Sequence, residues 1–426
     1  MTDGPRLDDI RAAREELDAV IEEIRAVPGY ADFLAVPTFA DVAAAADECP
    51  LVYLAAAEPG GLALVVDGTD DVTHVPLDDL TAGTLREKAA AHLERYARYR
   101  ASPETAYPEW NAGLDELTAW LWDAVMGPVL EHAGETAELV IVAGGLLGLL
   151  PLHAAWTADA GRVTGRRYVL DTVSVSYVPN ARALRAARRL AAQVRPTRLL
   201  ALADPWPVAA APLPMAKYEV AIAAAAFPAA TTTLRRGEAT FLSFEWEAAK
   251  ADVLHLACHG FAALERPLDS GLALAGGQVT LGRLIELRLR VRLAVLSACE
   301  TAQPGIELPD EVVALPTGLL QAGVAGIVAS QWSVPDRATA MLMAEFYRCW
   351  RWDQMVPAAA LRAAQRWLRD TTTAEKRAHF EAALSDQPGW LPPDAGQAFL
   401  DWLYFEPDGR VHADIHHWGA FAHVGA

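Results

Sequence analysis

Two apolar runs, separated by forty positions, constrain the fold of this chain more than any other feature. The first is Val253-Leu254-His255-Leu256-Ala257-Cys258-His259-Gly260. The second is Leu293-Ala294-Val295-Leu296-Ser297-Ala298-Cys299-Glu300-Thr301. Each is rich in Val and Leu and stops at polar or glycine residues, the pattern of a short strand covered on both faces. Between them, residues 280–289 (TLGRLIELRL) place Leu281, Leu284 and Ile285 at helical spacing. Strand, helix, strand is a βαβ unit. The spacing therefore predicts two parallel strands joined by a right-handed crossover.

Parallel strands end at one edge of a sheet, where open α/β folds carry their sites. His259 and Cys299 stand just past the predicted strand ends. A histidine beside a cysteine lowers the thiol pKa and shuttles its proton, which makes the cysteine a nucleophile. Gly260 suits a tight turn, and its backbone N–H with that of Cys299 could form an oxyanion hole. Cys258 points away from His259 in an extended strand and reads as a core residue. His255 shares the face of His259 one repeat deeper and reads as structural. A zinc site from His255, Cys258, His259 and Cys299 would draw ligands from both faces of one strand, and the chain has no Cys-x-x-Cys knuckle. The runs alone leave two readings of Cys299 open, a nucleophile or a small buried hydrophobe.

HLACHG followed by LSACET resembles the CHAT family, the caspase-like peptidase domain found with tetratricopeptide repeats and related to caspases and separases. Further blocks carry the resemblance: LVIVAGGLLGLLPLHAAW (139–156), LLALADP (199–205), the element of Leu213, Pro214 and Glu219, GVAGIVASQWSVPD (323–336), ALRAAQRWLRD (360–370) and HHWGAFAHVG (416–425). Together they span roughly residue 50 onward. The chain departs from the family pattern at Ala302 and Pro309, where glycines are usual. The resemblance implies an α/β fold with a caspase-like, mostly parallel sheet and helices on both faces. It implies a cysteine endopeptidase with His259 as base and Cys299 as nucleophile, acting on a protein substrate without a cofactor or metal.

The rest of the chain is read against that expectation. Residues 1–49 predict a helical segment, with Ile10, Ala13, Leu17, Ile21 and Ile24 on one face of the first helix and Thr38 capping a second. No repeat of about 34 residues is visible in the chain. Residues 50–195 predict a non-catalytic, pseudo-protease-like α/β half. It opens with a hairpin across Pro59-Gly60-Gly61 and a third strand at THVPL, with helices near 84–100 and 113–133. The run 139–156 is nearly all apolar, but Gly144, Gly145, Pro151 and His153 make it a buried strand, a turn and a second buried segment rather than a membrane helix. YVLDTVSVSYVP (168–179) reads as a strand. Residues 196–426 predict the catalytic half. There 261–277 is a connection, helices run near 337–351 and 357–368, residues 371–410 are a loop-rich excursion, and a last strand closes the chain.

Composition narrows the function. A net charge of −19, spread along 426 residues, opposes direct contact with nucleic acid or an anionic membrane. Four cysteines make no disulfide framework, and the polar start MTDGPRLDDI shows no signal peptide, so the expected compartment is the cytoplasm, where a thiolate stays reduced. Only four lysines against abundant Arg and Ala suggest a GC-rich bacterial source. Acidic residues near the carboxyl edge, Asp204, Glu300, Asp310 and Glu311, are candidates for a pocket taking a basic side chain. Gln331 to Ser333 could pair with an extended substrate strand, with Trp332 either walling a side-chain pocket or lying in the core. The absence of repeats in the chain points to an activating or sensor protein as a separate partner. The competing reading is a catalytically silent scaffold. No Gly-x-Ser-x-Gly supports an α/β-hydrolase, and no P-loop or Gly-x-Gly-x-x-Gly supports a nucleotide site.

Overall fold

The computed structural model describes residues 7–28, 33–69, 71–261, 263, 266–297, 315–386 and 389–426. Cys299, Glu300, Asp310 and Glu311 lie outside the described residues.

The strands, in chain order, are β1 Leu51–Ala57, β2 Gly60–Val66, β3 Val72–Leu77, β4 Glu138–Ala143, β5 Trp156–Ala158, β6 Arg166–Tyr168, β7 Ser174–Tyr177, β8 Leu199–Ala203, β9 Thr231–Arg235, β10 Val253–Ala257, β11 Gly260–Phe261, β12 Gly271–Leu274, β13 Gly277–Thr280, β14 Leu293–Leu296, β15 Gly326–Ser330 and β16 Phe421–Gly425. Eleven of them form one sheet in the order β3-β2-β1-β4-β7-β16-β15-β14-β10-β8-β9. The sheet runs without a break across residues 195–196.

Pairing is parallel from β1 through β4 and β7 to β16. It is parallel again from β15 through β14, β10 and β8 to β9. The two sets meet at β16 and β15, which are antiparallel. All strands of the first set therefore run opposite to all strands of the second. Their carboxyl ends lie on opposite edges of the sheet.

The inner strands of the second set, β8, β10, β14 and β15, are continuous apolar runs because helices cover both faces. Leu199, Ala201, Val253, Ala257, Leu293, Val295 and Val328 face one core. Leu200, Leu202, Leu254, Leu256, Ala294, Leu296 and Ile327 face another. Helices Ala216–Ala225, Asp336–Tyr347 and Pro357–Asp370 bury residues in the first core, and Phe241–Ala248, Leu281–Ile285 and Leu315–Ala322 do so in the second. Burying one Leu or Val side chain contributes roughly 1.5–3 kcal/mol, so the two-sided arrangement fixes these strands firmly.

Several expectations hold and several change. The hairpin at Pro59-Gly60-Gly61 is β1–β2, with Gly60 at φ +146°. Residues 139–156 form β4 and two short 3-10 turns, as a buried strand, turn and segment. Thr38 caps the helix Phe39–Ala43 with Asp41 completing a capping box. The long strand expected at 168–179 is instead split. Asp171 accepts the Tyr168 N–H (3.0 Å) and pairs with buried Arg369 (2.5 Å), which folds Val169–Thr172 into a helical turn. Residues 261–277 are not a bare connection but supply most of a three-stranded antiparallel sheet, β11-β12-β13. Residues 371–410 are not loop-rich: helices Thr373–Ser385 and Pro393–Leu403 occupy most of them, the first opened by a Thr372–Glu375 capping box. Among the described residues no helix is long and apolar enough to cross a membrane.

Candidate active site

β10 and β14 are direct neighbours and parallel, with Val253 opposite Leu293 and Leu256 opposite Leu296. Their chains leave the sheet on the same edge, β10 into Cys258 and His259, β14 into Ser297. The sequence places Cys299 two residues beyond Ser297, outside the described residues. His259 lines a narrow cleft of about 40 Å³ together with Leu213, Ser297, Ser330 and Asp336.

The imidazole of His259 is oriented by a backbone group. Its Nε2 lies 2.7 Å from the carbonyl oxygen of Ala211. A carbonyl only accepts, so Nε2 carries the proton and donates it. That fixes the tautomer and leaves the lone pair on Nδ1. The carbonyl belongs to the loop 204–214, which is itself tethered. Asp204 follows β8 with φ +46°, a left-handed conformation that Asp and Asn accept more readily than most residues. Its N–H donates to the Ala257 carbonyl (2.9 Å), extending the β8–β10 pairing, and its Oδ1 accepts the Leu213 N–H (3.0 Å). Arg236 adds an ion pair at 3.8 Å. Asp204 thus anchors the loop two residues from the carbonyl that holds His259.

Other expected residues fall elsewhere. Gly260 is not a tight turn but the first residue of β11, opposite Leu272, because the Ala273 N–H bonds the His259 carbonyl (2.8 Å) and draws the chain into the small sheet. Trp332 turns away from the cleft. It is fully buried against Trp110 and His92, and its Nε1 donates to the His416 carbonyl (3.0 Å). Ser333 is half-buried, and its N–H donates to the Tyr96 hydroxyl (2.9 Å). Cys258 is buried in the second core and His255 in the first, as their strand positions require.

Two carboxyls near the cleft were not singled out as site residues from sequence. Asp336 opens the helix Asp336–Tyr347 and accepts the Met215 N–H (2.9 Å); burial raises its pKa, with Asp204 adding to the effect and His259 opposing it. Glu219, buried in the helix Ala216–Ala225, is pushed up to about 8 by burial, while a hydrogen bond from Ser297 pulls it down. Both sit inside blocks that sequence reading had marked, Pro335-Asp336 and the Leu213–Glu219 element. An acidic residue within an otherwise apolar stretch was the available signal.

A mostly parallel α/β sheet with a tautomer-fixed histidine at its carboxyl edge defines a caspase-like architecture. The CHAT domain profile matches residues 115–426, and the chain belongs to that family. No curated protein sequence matches it. Two solved structures of the separase–securin complex of Saccharomyces cerevisiae are similar in fold, with TM-scores of 0.58 and 0.57 at 9% identity. In each, the match covers 90% of this chain and 30% of the separase chain. The Arg-specific cysteine proteinase gingipain R also aligns, with a TM-score of 0.38 and 9% identity over 80% of this chain and 74% of its own.

Proposed function

We propose that the chain is a cysteine endopeptidase in which His259 activates Cys299. The observation that carries this reading is the Ala211 carbonyl on His259 Nε2, which leaves Nδ1 as the free base at the edge where the neighbouring strand β14 ends, three residues before Cys299 in the sequence. Nδ1 takes the thiol proton. The thiolate attacks the scissile carbonyl carbon, and the N–H groups of Gly260 and Cys299 are the candidate donors to the oxyanion. Imidazolium then gives its proton to the leaving amine as the C–N bond breaks, leaving an acyl-thioester. Water, deprotonated by Nδ1, attacks that thioester; the thiolate leaves and the acid product departs.

Among the described residues lining the cleft one is acidic, Asp336, and none is lysine or arginine. Asp336, with Asp204 behind it, favours a basic side chain before the cut bond. Trp332 and Ser333 are held by core contacts, so pocket selectivity rests on the acidic residues, with Glu300, Asp310 and Glu311 as further candidates. The substrate is a protein partner cut at few sites. An activating or sensor protein is expected from the absence of repeats, and a bacterial cytoplasmic setting from composition and cysteine usage; a role in defence or cell death follows from the family resemblance alone.

The test is cleavage of a proteome-derived peptide library, with new termini mapped by mass spectrometry. Cuts after basic residues that vanish in Cys299→Ala and His259→Ala are the expected result. With no cuts, a Cys299 that alkylates with iodoacetamide no faster than a free thiol overturns the peptidase reading and favours the scaffold.

A further inference from the structure

The peptidase chemistry leaves one group of buried polar residues unused. Phe421 of β16 lines the cleft, and Gly425, at the other end of the strand, lines a second cavity of about 200 Å³. Glu138, Arg188, Arg292 and His423 line it too. The Ser176 hydroxyl, on β7, lies 2.9 Å from Glu138 Oε1 and 2.9 Å from His423 Nδ1. Ser176 is fully buried, and His423 is 1% exposed. His423 Nε2 has no hydrogen-bond partner. A Cβ at Gly326 would stand 3.2 Å from that nitrogen and 2.6 Å from the Ala426 oxygen, to which Arg292 Nη1 donates (2.8 Å). One small region thus holds a carboxyl, an imidazole and a guanidinium.

The order of these groups is that of a binding site. In a catalytic triad the histidine stands between hydroxyl and carboxylate, and the hydroxyl meets the substrate. Here the hydroxyl is the middle group and is sealed from the cavity. A serine has one proton to give. Ser176 gives it to Glu138, so its oxygen accepts from His423 Nδ1–H, and the relay points at the carboxyl. Burial raises the Glu138 pKa, and the Ser176 bond works against that by favouring the charged form.

Glu138 and Arg292 are both half-buried. Among the described residues, Glu138 forms an ion pair with no Lys or Arg, and Arg292 with no Asp or Glu. Arg188, the other cation in the wall, is already bonded to the Ala45 carbonyl (2.6 Å) and paired with Glu48 (3.4 Å). A charge held away from water is costly unless it is matched. A ligand bearing both signs matches the two at once, whereas a simple anion leaves Glu138 facing it and a simple amine leaves Arg292. A cavity of about 150 Å³ holds benzene, so this one suits a molecule of roughly six to ten non-hydrogen atoms.

We propose that this cavity binds a small amino acid as its zwitterion, with the ligand's carboxylate on Arg292 and its ammonium group on Glu138. Binding there does not depend on the peptidase reading, and calorimetry needs no turnover to see it.

The experiment titrates the full chain calorimetrically, at fixed ionic strength, with L-alanine, γ-aminobutyrate, propionate and isopropylammonium chloride. The first two carry both charges at two separations, and the others carry one each. At least one amino acid binds with a dissociation constant of roughly 1 mM or tighter, and both single-charge probes bind at least about tenfold more weakly. Arg292→Met and Glu138→Gln each weaken that amino acid by about tenfold or more, and Ser176→Ala weakens it roughly threefold by releasing the Glu138 carboxyl. Ala191→Phe fills the cavity from the helix Ala181–Gln193, leaves both charges in place and abolishes binding. Thermal midpoints separate unfolding from loss of the site, and the half-buried Ala191 keeps the test open if a charge variant unfolds. Binding of neither amino acid to wild type overturns the inference. So does a single-charge probe that binds as tightly as the amino acids, and so does unchanged amino-acid affinity in a folded Arg292→Met, Glu138→Gln or Ala191→Phe.

Discussion

At the scale of single residues, the candidate site separates side chains that do chemistry from those that hold them. His259 has one ring nitrogen committed to Ala211, so any change there acts on the other. Trp332 tests the opposite case. Sequence reading left it between pocket and core, and its burial against Trp110 and His92 places it in the core. Trp332→Leu is expected to cost about 3 kcal/mol of stability, typical of truncating a large buried aromatic. The ranking of cleaved peptides stays as in wild type, measured by urea denaturation and by library cleavage side by side. Asp336→Asn reverses that signature: an unchanged denaturation midpoint to within about 1 kcal/mol, and loss of preference for a basic residue before the cut. The place of His259 at the sheet edge was legible because a strand ending in a reactive group is a local pattern, while Cys299 lies outside the described residues. The carbonyl on His259 was not, since Ala211 lies 48 positions away with no side chain to announce it.

Elements show why some structure was readable and some was not. Strands buried on both faces spell themselves out in Val and Leu, and so β10 and β14 were anticipated. Residues 168–179 misled because Asp171 takes its conformation from Arg369, a partner nearly two hundred positions on. The β12–β13 hairpin had a signal, Gly276-Gly277 between two alternating stretches, with Gly276 at φ +83°. The capping box Thr372-x-x-Glu375 likewise announced the helix Thr373–Ser385, and the prolines beyond it drew attention away. The loop 204–214 invites a direct test. Asp204→Asn retains an acceptor for the Leu213 N–H and tolerates positive φ, so kcat stays within about threefold. Asp204→Gly accepts the backbone but drops the tether, and kcat falls roughly tenfold. Asp204→Ala loses the tether and adds about 1 kcal/mol of strain, visible as a lower thermal midpoint than that of Asp204→Gly.

For the whole molecule, the buried titratable groups set a pH window. Burial lowers His92 and His153 to about 4, and His255, His412, His416 and His423 to about 3. Below the unfolded value near 6.5 the unfolded chain binds more protons than the folded one, so stability falls as pH drops. Six such groups cost roughly 8 kcal/mol one unit below that value, against a typical total of about 5–15 kcal/mol. Glu219 has the opposite sign. Its folded pKa of about 8 exceeds the unfolded carboxylate value, so its contribution is full at low pH and shrinks as pH rises toward 8. Below 6.5 the imidazoles win by number. Thermal midpoints are expected to peak between about pH 6.5 and 7.5, fall steeply toward pH 5, and decline gently toward pH 9. Glu219→Gln removes that opposing contribution, so the midpoint falls more steeply toward pH 5 and declines less between about pH 7 and 8. A midpoint that stays level down to pH 5 would contradict the buried, neutral state of these histidines.

The central place of β16 has a consequence for the order in which the protein is made. Residues 421–425 are the seam between two sets of strands that run in opposite directions, and among the described residues no earlier segment joins β7 to β15. While the ribosome is still elongating toward that point, β1, β4 and β7 have their partners and β8, β10 and β14 have theirs, but the two blocks share no ladder. Nascent chains tend to fold N-terminal parts first. Here synthesis must reach residue 425 before the halves can lock, so the cleft beside β15 gains its full backing only when translation has passed that residue.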